Sequence, residues 1–261
     1  MCRAFLYLNT LFYNTIYTIR ETESIRIEMI YWNQRMVIIG MVLIAVILIV
    51  ISAIVSPQGD ELLEKKASLS YSIMSEPSRV FNVDQEANIP TWFTASIALY
   101  TALMASLIAS SMKSQGKKSA GWRGLACLFV YIALDEVGGL HELLIEPLRN
   151  AFGLTGWLYQ SWIIVGLAIA LIVGLAYIQF LFRLPRNIRF YLITGGIIYV
   201  LGVIGVEAIG GLVLSTEGLT NWYVQLSHIE EFLEIMGLIL ALYALSEFTR
   251  REIKSMTIVL K

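Results

Sequence analysis

The sequence predicts an all-α, polytopic transmembrane helical bundle of about six spans, with both termini in the cytoplasm. Three observations support this: a low charge content, long apolar runs and an uneven distribution of basic residues. Of the 261 residues, 57% are hydrophobic and 15% are charged, whereas soluble domains carry about 25% charged residues. The apolar residues form six runs that can cross a hydrocarbon core about 30 Å thick at about 1.5 Å per residue. These runs are Met36–Val55, Pro90–Met112, Trp122–Leu144, Trp157–Phe182, Ile188–Leu214 and Trp222–Leu245.

The distribution of basic residues predicts on which side of the membrane each loop lies. When alternate loops are assigned to alternate sides, fifteen of the 19 Lys and Arg residues fall on one side and four on the other. Because cytoplasmic loops carry the excess of Lys and Arg, we expect the termini to be cytoplasmic and residues 56–89 and 149–156 to be external. An aromatic belt is expected at the outer span ends, and it consists of Trp92, Trp157, Trp162 and Trp222.

The chain is predicted to form one membrane domain with two short flanking segments. Residues 36–247 form the domain, residues 1–35 precede it as a cytoplasmic or interfacial segment, and residues 248–261 form a cytoplasmic tail. The first segment is either an interfacial helix or the product of a start codon upstream of the true one. In the second case the chain would begin at Met29 or Met36.

The external segment at 56–89 is the one sizeable stretch outside the predicted spans. Apolar residues recur at helical spacing over 60–74, which predicts an amphipathic helix on the outer membrane face. The net charge of −1 provides no field that would draw nucleic acid. The expected partners are therefore the lipid bilayer of the cell membrane and other membrane proteins.

Ionisable residues interrupt the apolar pattern of the third, fifth and sixth spans. An ionisable group at membrane depth costs several kcal/mol unless it faces the bundle interior and finds a partner. The three spans place these groups at a similar depth, in one slab of the outer leaflet. Glu146 and Glu230 are expected to be solvated groups at helix ends. The candidate site residues are Asp135, Glu136, His141 and Glu142 in the third span, Glu207 in the fifth, and His228, Glu231 and Glu234 in the sixth.

Helical spacing indicates that these groups share faces. At about 100° per residue, His228, Glu231 and Glu234 lie within a sector of about 120° on the sixth span. On the third span, a continuous helix would place Asp135 and Glu142 on one stripe, although the Gly-Gly pair between them can distort it. We therefore expect a common pocket formed by Asp135, Glu142, Glu207, His228 and Glu231.

The first interpretation of this cluster is a metal site. Both histidines of the chain lie in it, and two His with about four Glu or Asp are the ligands of di-iron and di-manganese bundles. Carboxylates with imidazole suit Fe, Mn or Zn, so all eight candidate residues are expected ligands. The spacing His228-x-x-Glu231 reverses the usual Glu-x-x-His order of those bundles. An open coordination position would make the chain a di-iron-like or zinc membrane enzyme acting on a lipophilic substrate.

Two other interpretations stay open. Chains of Asp, Glu and His inside a membrane are typical of proton or cation pathways, which would make the chain a proton- or cation-coupled transporter or channel. The acids could instead pair with basic residues of a partner, in a non-catalytic subunit of a membrane complex. Haem ligation by His141 and His228 is disfavoured by the surrounding carboxylates.

The stretches Leu134–Glu142 and His228–Glu234, together with Glu207, resemble an uncharacterised group of small polytopic prokaryotic membrane proteins. The resemblance covers the last four spans. It carries no known activity, so it implies that the acidic spans recur within the group and nothing about a substrate or cofactor.

Overall fold

The structure is a bundle of long α-helices. A small β-sheet pairs strands from the two ends of the chain. The computed structural model describes residues 20–21, 24–27, 34–56, 77–252 and 256–259. The predicted amphipathic helix at 60–74 and most of the segment at 1–35 lie outside these residues.

The described helices follow one another with short connections. Two 3-10 turns, Glu142–Leu144 and Gly156–Leu158, flank the short helix α4. Helix α6 is continuous but winds as a π-helix over Leu201–Val206. The helices are α1 (Gln34–Val55), α2 (Ile89–Ser114), α3 (Ala120–Gly138), α4 (Ile145–Phe152), α5 (Ile163–Arg183), α6 (Arg186–Thr216) and α7 (Asn221–Glu252).

Within the described residues, five helices are long and apolar enough to cross a membrane, namely α1, α2, α5, α6 and α7. This finding agrees with the prediction of a helical membrane protein. Helix α3 has 19 residues, and it differs from the five because it carries Arg123, Asp135 and Glu136. The count of six spans and the location of the termini stay predictions.

The core lies where α7 packs against α2 and α6. On α2, Ala98 and Ala105 have no exposed surface, and on α7 Ile235, Leu238 and Leu242 are at most 1% exposed. Small residues matter here because lipid tails are as apolar as the core, so helices associate in a membrane through close packing. The core therefore seals the part of the bundle that lies beyond Glu234 towards the C-terminus of α7.

Helix α3 ends six residues earlier than the predicted third span, which was expected to reach Leu144. Gly139 follows the helix with φ +52°, a left-handed conformation that glycine adopts without a steric penalty. Its N–H donates to the carbonyl of Asp135 at 2.8 Å and closes the helix. The predicted stripe that joined Asp135 to Glu142 is therefore wrong, because Glu142 lies in a separate 3-10 turn.

Helix α5 also begins later than the predicted fourth span. Trp157 lies in the 3-10 turn Gly156–Leu158, and the helix starts at Ile163. The glycine at the start of that turn has φ +63°, which redirects the chain before α5 can begin.

Three short strands form an antiparallel sheet in the order β1 (Arg20–Glu21), β2 (Ser24–Ile27) and β3 (Met256–Val259). The register pairs Ser24 with Val259 and Ile27 with Met256. The sheet joins the segment before α1 to the segment after α7, a pairing that the all-α prediction does not contain.

Candidate functional site

Carboxyl side chains surround a cavity of about 140 Å³ at the ends of α3, α6 and α7. A water molecule needs about 10–15 Å³ of such space, so the cavity has room for several. Of the described residues that line it, none is Lys or Arg, and His141 is the single histidine. The acidic lining residues are Asp84, Glu86, Asp135, Glu136, Glu142, Glu207, Glu230, Glu231 and Glu234.

Seven of the eight candidate site residues line this cavity, and the exception is His228. Their role as metal ligands stays a prediction. Glu230 also lines the cavity and is half-buried, so the expectation of a solvated helix-end group at that position is wrong. Its carboxylate lies on the same side of α7 as Glu231 and Glu234.

His141 is held in the cavity wall by Asp135. After Gly139 the chain turns back, so that the His141 N–H donates to Asp135 Oδ1 at 2.9 Å. The Nδ1 atom of His141 lies 3.1 Å from Asp135 Oδ2. With Nδ1–H as the donor, Nε2 is the ring atom left to accept a proton or bind a metal. A carboxylate behind a histidine in this way is the usual support of a metal-binding imidazole, which makes Asp135 a positioning residue.

Trp162 connects His141 to Glu207. Its Nε1–H donates to Glu207 Oε2 at 2.7 Å, and its ring lies 4.6 Å from the His141 ring, centroid to centroid. Trp162 is 7% exposed and Glu207 is 8% exposed. The prediction of Trp162 in an interfacial belt is therefore wrong, since the indole is buried against His141 and Glu207.

Helices α6 and α7 approach closely beside the carboxylates. A Cβ atom at Gly202 would lie 2.9 Å from the carbonyl oxygen of Glu230, so only glycine fits there. Gly202 belongs to the π-helical segment Leu201–Val206, and π-turns within α-helices occur frequently at functional sites. Tyr199 and Val203, on the same stretch of α6, line the cavity.

The loop at 82–88 contributes two acids that sequence reasoning missed, Asp84 and Glu86. The loop is fixed to α1, because Ser52 Oγ accepts from the N–H of Val83 at 3.0 Å. Asn88 then caps α2, where its side chain accepts from the N–H of Thr91. The hydroxyl of Tyr223 on α7 donates to Asp84 Oδ1 at 3.4 Å. Asp84 and Glu86 are spaced like the acids of an ordinary solvated loop, so no periodic pattern in the sequence indicates that they belong to a site.

The surroundings of the two loop acids, Asp84 and Glu86, raise the pKa of both carboxyl groups. Loss of surrounding water raises the pKa of the Asp84 carboxyl, and Glu142 raises it further, while hydrogen bonds from Ser227 and Tyr223 oppose the shift. The same loss of water raises the pKa of Glu86, with Glu142 again adding to the effect. Both carboxyls therefore hold their protons to a higher pH than in the unfolded chain.

His228 lies on a side of α7 that does not face the acidic cavity. The prediction that five residues converge in one pocket is therefore wrong for His228. It lines a second cavity, between α7 and α1, with Ser56 and Gln225. Its Nδ1–H donates to the carbonyl oxygen of Val224 at 2.5 Å. The helix turns about 100° per residue, so the step from Ser227 to His228 moves the side chain from one cavity to the other.

The donor atoms of the cavity suit a hard divalent cation, since carboxylate oxygens and one imidazole are the ligand types of Fe, Mn and Zn sites. Across the part of the chain that the structure describes, however, no group of three or more His, Cys, Asp and Glu side chains has its donor atoms already gathered around one point. Glutamate rotamers would have to change for a metal to bind.

The fold and the cavity together define a helical membrane protein with a buried acidic site. A family model described as "Domain of unknown function (DUF8692)" matches residues 36–248, and the chain belongs to this family. The match spans every residue that lines the acidic cavity. None of the curated proteins and none of the solved structures matches the chain significantly. The resemblance to small prokaryotic membrane proteins stays a prediction.

Proposed function

We propose that the chain is a metal-dependent membrane enzyme whose acidic cavity binds a divalent cation next to a lipophilic substrate. The observation that carries the proposal is the Asp135–His141 pair, 3.1 Å apart, in a cavity otherwise lined by carboxylates. So many carboxyl groups cannot all be ionised side by side, because like charges in a small volume repel. Either protons or a cation must neutralise them.

His141 Nε2 would hold the cation together with carboxylates of Glu136, Glu207, Glu231 and Glu234. A bound metal ion would supply Lewis acidity and lower the pKa of a bound water. Asp135 fixes the orientation of the His141 ring, and Trp162 fixes one oxygen of Glu207. The sealed core beyond Glu234 keeps bulk water from reaching the site from that side.

The depth of the site supports a lipophilic substrate. Glu231 lies ten residues from the start of α7 at Asn221, which is about 15 Å at 1.5 Å per residue. If α7 begins at the boundary of the hydrocarbon core, that depth reaches the middle of a core about 30 Å thick, among the lipid chains.

Elemental analysis tests the metal. We expect about one or two Fe, Mn or Zn ions per purified chain, with a large loss of metal in His141→Ala and Glu231→Gln. His228→Ala should keep the metal, since His228 lies outside the cavity. Glu217→Gln, in an exposed loop, is the matched control for the loss of a carboxylate. Chains that stay metal-free after incubation with each ion, with no change in melting temperature, would refute the proposal.

Proton or cation transport is the second candidate, and the π-helical segment of α6 favours it. Leu201–Val206 lies beside the carboxylates, and a π-segment gives a helix a place to bend. In the described conformation the pathway is closed, because Ile235, Leu238 and Leu242 fill the core below Glu234. Liposomes with an internal pH dye decide between the candidates: a flux that Glu231→Gln abolishes in metal-free protein would favour transport.

A further inference from the structure

The cavity that contains His228 lies between α1 and the first turns of α7. Its volume is about 340 Å³, within the range of about 300–1,000 Å³ typical of small-molecule sites. Ser56 follows the last residue of α1 and Gln225 lies near the first residue of α7, so the cavity is at the same end of the bundle as the acidic site. It uses the opposite side of α7 and shares no lining residue with that site.

His228 lines this cavity, and its ring carries a buried hydrogen-bond acceptor that is not used. The residue is 8% exposed, and its Nδ1–H is donated to Val224. In this tautomer Nε2 carries a lone pair, and it has no hydrogen-bond partner in the described part of the chain. A buried acceptor without a donor is costly, so a donor supplied by a molecule in the cavity would be favoured.

The lining changes from apolar to polar along the helix axes. On α1, Ile49 lies deepest, Ala53 is one turn higher and Ser56 is at the helix end. On α7, Ile229 lies deeper than His228, and Gln225 lies nearer the helix start. The deep end of the cavity therefore suits a hydrocarbon chain and the outer end suits a polar group.

The described residues of the lining offer no counter-charge to two classes of headgroup. None of the described lining residues is Lys or Arg, so a phosphate would lack a counter-charge. None is Asp or Glu, so an ammonium group would lack one as well. A neutral hydrogen-bond donor on an apolar chain is the chemistry that remains, and a hydroxyl group is the simplest such donor.

We propose that this cavity binds a membrane amphiphile with a hydroxyl headgroup. The hydroxyl donates to His228 Nε2, and the apolar chain lies against Ile49, Ala53 and Ile229. This site is independent of the proposed metal-dependent activity, since its residues belong to another face of α7. The ligand reaches it sideways from the lipid, because much of α1 is exposed on its surface.

Photo-crosslinking of the full chain in detergent tests the site. The probe is hexadecanol that carries a diazirine in its chain, and the matched probe is hexadecane with the same diazirine. We expect the alcohol to label the segments 49–56 and 221–229 roughly five- to ten-fold more than the alkane, the effect of one satisfied hydrogen bond. His228→Phe should remove the preference for the alcohol, and Ala53→Trp should fill the cavity and abolish labelling.

The control variant is Ala168→Trp, which adds the same bulk on an exposed face of α5 and should leave labelling unchanged. Melting temperature and elution volume show whether each variant folds. If His228→Phe does not fold, Ala53→Trp alone decides. Equal labelling by the alkane, labelling that survives Ala53→Trp, or no labelling at these segments would each overturn the proposal.

Discussion

Both carboxylate oxygens of Asp135 are engaged by one residue, because the turn after Gly139 brings the backbone N–H of His141 to Oδ1 and its Nδ1 atom to Oδ2. Asp135→Asn keeps the size of the side chain and removes its charge. We expect it to lower the affinity for the proposed metal by about 10- to 100-fold, the usual effect of losing the carboxylate behind a metal-binding histidine. Titration of metal-stripped protein with Zn²⁺ or Mn²⁺ measures this.

An unchanged affinity in Asp135→Asn would show that His141 binds no metal. Glu217→Gln again serves as the control. The melting temperature of the metal-free variant separates a loss of metal binding from a loss of folding.

Gly139 is constrained both by its backbone conformation and by the Glu86 side chain beside it. Its φ of +52° costs other residues about 1–2 kcal/mol, and an added Cβ would lie 2.5 Å from Glu86 Oε2. Gly153 has φ +61° with nothing within 4 Å of its Cβ position, so Gly153→Ala is the matched control. We expect Gly139→Ala to lower the unfolding free energy more than Gly153→Ala does, in denaturation experiments on purified protein.

The excess cost of Gly139→Ala should fall when Glu86 is also changed to Ala, since the blocking carboxylate is then absent. If the two glycine variants are equally destabilised, the Glu86 side chain moves aside without cost and only the backbone conformation constrains Gly139.

The direction of a side chain was predictable from the sequence where the residue lies on a regular helix, and unpredictable where it lies in a loop. Glu231 and Glu234 follow from spacing on α7, and both line the cavity. His228 lies on the same helix, but spacing gives only the angle between two side chains and not which neighbouring helix each one meets. Asp84 and Trp162 were missed because loop geometry and a buried indole leave no periodic pattern.

At the scale of elements, the contact between α6 and α7 depends on Gly202. Its added Cβ would lie 2.9 Å from Glu230 O and 3.1 Å from Leu233 Cβ, both of which are held by α7. We expect Gly202→Ala to destabilise the protein by about 1–3 kcal/mol, the usual cost of overpacking. Gly196→Ala, one and a half turns earlier with nothing within 4 Å, should change stability little. Reversible unfolding in mixed micelles compares the two variants.

Equal stability of the two variants would mean that α6 shifts without cost at its π-helical segment. That outcome would strengthen the transport candidate, because a helix that moves so easily can also open a path.

The elements themselves were mostly predictable from the long apolar runs. Five of the six predicted runs correspond to helices that are long and apolar enough to span a membrane. The ends were less predictable, since Gly139 stops α3 in a stretch whose composition continues to suit a helix. The sheet of β1, β2 and β3 was not predicted at all, because its strands are two to four residues long and pair across the whole chain.

At the scale of the whole molecule, proton binding and folding are linked. The pKa values of Asp84 and Glu86 are raised by loss of water and by Glu142, so the folded chain holds more protons than the unfolded chain between the two pKa values of each group. Stability therefore increases as the pH falls through the folded pKa and levels off below the unfolded pKa. We expect the melting temperature of metal-free protein to rise between pH 8 and pH 5.

Asp84→Asn combined with Glu86→Gln should weaken this pH dependence, with Glu217→Gln as the control. Saturating metal should reverse its sign, because a metal binds deprotonated carboxylates and loses affinity in acid. A melting temperature of metal-free protein that falls towards pH 5 would contradict the assigned shifts.

Val83, Asp84 and Glu86 of the loop at 82–88 line the acidic cavity, whereas the α7 side chains beyond Glu234 are packed in the core. If the proposed enzyme exchanges substrate and product beside this loop, arrival and departure compete there. Product added to the face of the membrane that carries the loop would then slow turnover, whereas the same product on the other face would have no effect. Inhibition measured from each side of sealed vesicles would therefore reveal the orientation of the chain.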